Sequence, residues 1–261
     1  PGNTTGYVNI KDANGVYRNM RNADGSWLES TDANWATDSQ ARWGGKVTAH
    51  VDPLQFPTPE GAQSIDIIKP AQLGDSAEMQ SMRMYNRADI RIMDGVAKYP
   101  NGDLVALPAG TVTSTSFYDD RENDEACATE VDVEKLKDSG LANGKVIYVG
   151  STMANGPSCF NAVRLVNGGQ LPIGGMTVVT HHPIYVKGNY NYSTAAGYTK
   201  QPAGLIGDAL TVLSGNWNDA NSTLLTTSRV ATDTRVYAGV MGGRAREPGS
   251  EHLVRFLETW T

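Results

Sequence analysis

From residue 89 onward the chain is cut into short runs rich in Val, Ile and Thr, each stopped by a glycine, proline or Asn-Gly corner. Such a pattern admits many short strands and few helices of any length. Asp89-Ile90-Arg91-Ile92-Met93 ends at Asp94-Gly95, Val96-Ala97-Lys98-Tyr99 at Pro100-Asn101-Gly102, and Leu104-Val105-Ala106-Leu107 at Pro108. The run 111–118 is β-branched. The rhythm returns at 145–149, 162–166, 176–180, 184–187, 203–207, 209–213, 229–232 and 235–241. With 28 Gly and 12 Pro in 261 residues, and no long stretch of Ala, Glu, Lys and Leu, a helical bundle is excluded.

The expected fold is mainly β, an irregular right-handed β-solenoid-like stack with a β-sandwich as the alternative. A sandwich wants longer alternating strands and fewer double glycines. Three helices are expected. One covers 74–86, capped by Asp75 or Ser76, and one covers 130–138 and closes at Ser139-Gly140. The third covers 251–260, where Leu253, Val254, Phe256, Leu257 and Trp260 share a helical face and would cap the last rung. Two regions are expected: a polar, turn-rich segment over 1–45 and a β-rich domain over 46–261. The first holds strand-like pieces at 7–10 and 16–17 and three tryptophans eight residues apart, Trp27, Trp35 and Trp43. These read as packing residues more readily than as a sugar-binding ladder. A strand over 46–51 opens the second region, before Pro53, Pro57 and Pro59.

The net charge of −6 argues against a general nucleic-acid binder. The acidity is local: residues 117–134 carry eight carboxylates and one base. A solvated loop and helix start would explain this. A calcium site is the sharper reading, with Asp119, Asp120, Glu122, Asp124 and Glu125 as its ligands, because clustered carboxylates suit a hard cation. No other cofactor is expected. Two cysteines, Cys127 and Cys159, are too few for a thiolate metal site and leave one disulfide or two free thiols. The extracellular look of the composition favours the disulfide.

Four histidines are present, His50, His181, His182 and His252. Adjacent residues of a strand point to opposite faces, so His181 and His182 are not expected to share an ion. There is no GxSxG, P-loop, HExxH or dinucleotide fingerprint. No catalytic residue is assigned. The start at Pro1-Gly2-Asn3 reads as a processed or truncated form, with any leader or membrane helix lying upstream.

Residues 162–191, 201–222 and 252–260 resemble stretches of the bacterial PilX-type pilus assembly proteins, with weaker echoes at 85–95 and 42–51. The likeness spans most of residues 42–260. His181 and His182 stand where that family has acidic or amide residues, so no family role is carried onto them. The resemblance implies a large minor pilin: an N-terminal hydrophobic helix, the only membrane contact, followed by a large β-rich region outside the cell. It implies a non-enzymatic structural or interaction module of a type IV pilus-like filament, acting in adhesion or assembly at the bacterial surface. Its expected partners are pilus or filament subunits, further copies of itself and surface glycans. Two other readings compete, a self-assembling extracellular filament subunit and a secreted carbohydrate-active β-solenoid.

Overall fold

A computed structural model describes the chain at residues 10–11, 17–18, 24, 26, 28, 32–44, 58–152, 159–242 and 254–260. The chain divides into two compact units, Pro1–Phe56 and Pro57–Thr261. In the first, β1 (Ile10–Lys11) and β2 (Tyr17–Arg18) pair antiparallel, and α1 spans Trp35–Trp43. The helix was not anticipated, yet Ala36, Gln40, Ala41 and Arg42 are good helix formers and Gly44 ends it at φ 60°. Two of the evenly spaced tryptophans therefore bound one helix. Trp27, His50, His252 and the expected strand over 46–51 lie outside the described residues.

The second unit is mainly β. Its strands are β3 (Ile90–Met93), β4 (Val96–Lys98), β5 (Val112–Asp119), β6 (Asp124–Asp132), β7 (Lys145–Gly150) and β8 (Phe160–Val166). They continue with β9 (Met176–Val179), β10 (Ile184–Lys187), β11 (Ala203–Gly207), β12 (Leu210–Leu213), β13 (Gly239–Gly242) and β14 (Val254–Phe256). Two six-stranded sheets result, ordered β13-β11-β9-β7-β3-β4 and β14-β12-β10-β8-β6-β5. From β6 onward successive strands alternate between the sheets, and from β8 onward each pairs in parallel with the strand two places before it, while β7 pairs in parallel with β3. Antiparallel hairpins start both sheets, β3 with β4 and β5 with β6.

Alternation along each strand supplies the core. Ile90, Ile92, Ile147, Val149, Val178 and Leu205 from one sheet share a buried cluster with Val131, Val163, Leu165, Ile184 and Val186 from the other. The opposite faces are covered too. Ile65, Ile68 and Ala88 pack with Tyr148 and Val179 on one sheet. On the other sheet Trp217 packs with Phe117, Phe160 and Tyr185. Coverage on both faces explains why Val146-Ile147-Tyr148-Val149 reads as a continuous apolar run.

Several expected elements change. The helix over 74–86 is two, α2 (Ala77–Met82), capped by Ser76, and α3 (Met84–Arg87). It breaks at Arg83, an extended residue whose buried guanidinium binds Asp75 and the carbonyls of Asp66 and Lys69. The helix expected over 130–138 is α4 (Val133–Ser139), with Asp132 as its N-cap and Gly140 as its left-handed C-cap. Residues 124–132 before it are strand β6 rather than loop. At the end of the chain the expected amphipathic helix is a correction: Val254–Phe256 is β14, in parallel register with Leu210–Val212. A short helix gains little by itself, whereas an open strand edge offers a ladder of hydrogen bonds. Residues 104–107 and 229–232 form only isolated bridges, at Leu104 and Val230.

The corners carry their own chemistry. Gly175 sits at φ 86°, and an added Cβ would strike the carbonyl of Pro202. Asn191 holds a left-handed corner at φ 56° and is 3% exposed. Its Nδ2 donates to the carbonyls of Gln201 (2.7 Å) and Tyr237 (2.9 Å), while its Oδ1 accepts from the Tyr198 hydroxyl (2.7 Å) and the Gln201 amide (2.9 Å). Replacing Asn191 by Ala strands those four partners and leaves a Cβ residue at positive φ, so it should cost about 2–4 kcal/mol of stability. Urea unfolding of the variant beside the parent protein measures this, and a loss below about 1 kcal/mol would contradict the role given to this side chain.

Candidate functional site

The two cysteines form a disulfide, Cys127–Cys159, with Cα atoms 5.7 Å apart. Cys127 lies on β6, and Cys159 immediately precedes β8, the parallel neighbour of β6. The bond therefore ties adjacent rows of one sheet across a sequence separation of 32 residues. On the chain-entropy account a loop of that size contributes about 3–4 kcal/mol. The double variant Cys127→Ser, Cys159→Ser should lose stability of that order in denaturant titration, without a change of ligand or pH.

The five acidic residues expected at a calcium site are not brought into one ligand set. Asp119, 1% exposed, accepts from the Tyr185 hydroxyl and from the amides of Arg121 (2.8 Å) and Glu122 (3.3 Å). Asp120 pairs with Arg229, and Glu122 pairs with Arg255. Asp124 accepts from the Glu125 amide at 2.8 Å. Among the described residues no three His, Cys, Asp or Glu side chains are grouped to hold an ion. The Tyr185 hydroxyl and two arginines distant in sequence account for this: three of the carboxylates serve as anchors for other segments.

His181 and His182 correct a second expectation. They lie in the bend between β9 and β10, not in a strand, and their rings are 3.8 Å apart rather than on opposite faces. The Tyr148 hydroxyl donates to the Ile68 carbonyl at 2.8 Å, so its oxygen is left to accept from His181 Nδ1 at 2.9 Å. His182 Nε2 lies 3.3 Å from the Ser151 amide, and the Ser151 hydroxyl donates to Asp94 at 2.7 Å. Burial first, and then the Lys69 charge, lower His181 from about 6.5 to about 4. The unfolded chain therefore takes up that proton before the folded one does. The contribution of His181 to stability is complete above about pH 6.5 and is lost as pH falls toward about 4. Unfolding measured at about pH 7.5 and about pH 4.5 should show a smaller pH difference in His181→Gln than in the parent. Equal differences would contradict a buried neutral imidazole.

A cleft of about 620 Å³ lies along the outward side of β8 and β10. Glu130, Arg164, Lys187, Asn189, Tyr192 and Ser193 are among its lining residues. Parallel register sets Glu130 directly beside Arg164 on neighbouring strands. Arg164 Nε donates to Glu130 at 2.6 Å, and its two Nη atoms reach Asp219 at 2.6 and 3.0 Å. Asp219 also accepts from Trp217 Nε1 (2.8 Å) and from the Thr115 hydroxyl (3.0 Å). Burial opposes the charge on Asp219, but the Arg164 guanidinium still holds its carboxyl below the usual range. The floor of the cleft is thus a locked ionic triad.

The rim is built differently. The Asn189 side-chain oxygen accepts from the Arg235 amide at 2.9 Å, and Arg235 Nη1 donates to the Tyr192 hydroxyl at 2.8 Å. The Arg235 guanidinium lies 4.5 Å from the Tyr192 ring centre, Tyr192 stacks 6.0 Å from Tyr237, and Lys200 Nζ lies 3.6 Å from the Tyr237 centre. The Lys187 ammonium has no ion-pair or hydrogen-bond partner among the described residues. Sequence reasoning missed this cleft. Its corners, Asn167-Gly168-Gly169 and Gly188-Asn189, were legible as turns, but nothing local marks them as neighbours. Comparison with family models, with curated proteins and with solved structures finds no match for the chain.

Proposed function

We propose that this chain is a non-enzymatic interaction module of a bacterial surface filament of the type IV pilus kind, built as a β-solenoid and displayed outside the cell. The observation that carries this reading is the Cys127–Cys159 disulfide, which links two neighbouring strands of the core sheet and belongs to an oxidising compartment. The resemblance of residues 162–191, 201–222 and 252–260 to PilX-type proteins supports the filament part. The alternation of strands between two sheets, each paired in parallel with the strand two places earlier, favours a solenoid over a sandwich of antiparallel hairpins. The polar cleft beside β8 and β10 supplies a surface for contact, with Arg164 held between Glu130 and Asp219 at its floor.

A second reading, end-to-end self-assembly, draws on one observation. Among the described residues β13 and β14 are terminal strands of the two sheets, and β14 pairs with β12 alone. Fractionation of the producing cells separates these readings. Surface display predicts that the chain sheds with mechanically sheared filaments and carries no free thiol. Recovery in the cytosol with both thiols reduced would overturn it. Self-assembly predicts a concentration-dependent rise in sedimentation coefficient of the purified chain.

A further inference from the structure

The cleft beside β8 and β10 holds one charge that no described residue pairs with. Glu130, Arg164 and Asp219 satisfy one another. Lys187 lines the same cleft, half-buried, and its ammonium has no partner among the described residues. Two more cations follow along the rim. Arg235 is held over Tyr192 and Lys200 over Tyr237, and neither has a carboxylate partner among the described residues. Stacking on the paired rings fixes both cations at little entropic cost and leaves their charge unneutralised.

The uncharged groups also present donors. The Asn189 oxygen is taken by the Arg235 amide, which leaves its Nδ2 hydrogens for a ligand. Ser193 Oγ accepts from the Ala195 amide at 3.1 Å and from Gln170 Nε2 at 3.2 Å, so its own proton is available. A cleft of this kind asks for many oxygen acceptors and for negative charges spaced along a chain. Its wall is more polar than apolar, which suits a lipid or a hydrophobic peptide less well. Among the described residues Glu130 is the only carboxylate lining it, and that group is committed to Arg164, so they offer no ligand set for a divalent cation.

We propose that this cleft binds an acidic polysaccharide, with Lys187 taking a uronate carboxylate in the cleft, Arg235 and Lys200 meeting carboxylates further along, and Asn189 and Ser193 donating to sugar oxygens. The proposal rests on the interaction-module reading and gives it a ligand class.

The test is calorimetric titration of the purified, disulfide-intact chain at low salt with oligogalacturonate, its methyl-esterified form and a neutral malto-oligosaccharide. The acidic oligomer should bind, added salt should weaken it, and the ester and the neutral oligomer should bind at least roughly tenfold less tightly. Lys187→Ala and Arg235→Ala should each weaken binding by roughly fivefold to tenfold at unchanged thermal stability, with Lys187→Arg retaining it. No binding of the acidic oligomer, equal binding of the neutral one, or full affinity in both alanine variants would each overturn the proposal. Cell location does not enter this titration: a cytosolic chain that binds the oligomer sinks the surface reading alone, and a surface chain that does not bind sinks the ligand assignment alone.

Discussion

Parallel, in-register pairing is the constraint on which the rest of this protein depends. Because each strand lies beside the one two places earlier with no slip, side chains of one kind stack along the sheets. Ile90, Ile147, Val178, Leu205 and Val240 form one such row, and Val131, Leu165, Val186, Val212 and Phe256 form another. A one-residue slip would turn each row toward the opposite face and lose the core. The same register that stacks the apolar rows puts Glu130 next to Arg164 and, one strand on, Tyr185. The core and the floor of the cleft are thus two consequences of one alignment.

The long connections are fastened to that framework by buried polar groups. Asp119 meets Tyr185, Arg164 meets Asp219, and Arg229 meets Asp120 and the Ser222 carbonyl. Glu258 takes the amide and hydroxyl of Ser214. Removing charge from water is costly, and each of these groups is repaid only because several partners converge on it. That convergence decides the fate of the acidic segment. Its carboxylates were expected to serve an ion, but Arg229 and Arg255 bind Asp120 and Glu122, two residues apart, and convert the segment into an anchor for the 214–231 connection and for β14.

Much of the β character was legible in the residues themselves. Val, Ile and Thr runs with glycine or proline stops gave β3, β7, β9, β10 and β12 nearly to the residue, because a strand of four to six residues between two breakers has few other options. The short helices were harder. Arg83 breaks its helix for the sake of carbonyls at Asp66 and Lys69, far back in the chain, and no local propensity encodes that demand. The C-terminal residues 254–256 have a helical pattern but accept the vacant edge of β12, which local periodicity cannot see. The cleft was invisible for the same reason: Lys187, Tyr192 and Arg235 are individually ordinary, and only the stacking of distant corners makes them neighbours.

What the sequence alone determined is the strand-rich character, the positions of the corners and the presence of two cysteines able to pair, since these follow from backbone preference and side-chain chemistry within a few residues. Tertiary structure decided which strands are neighbours, that the cysteines sit 5.7 Å apart across β6 and β8, that His181 and His182 face the same way, and that the acids bind arginines. Those outcomes depend on register between segments tens of residues apart. Register is set by the summed burial of whole rows, a quantity that no local stretch of sequence contains.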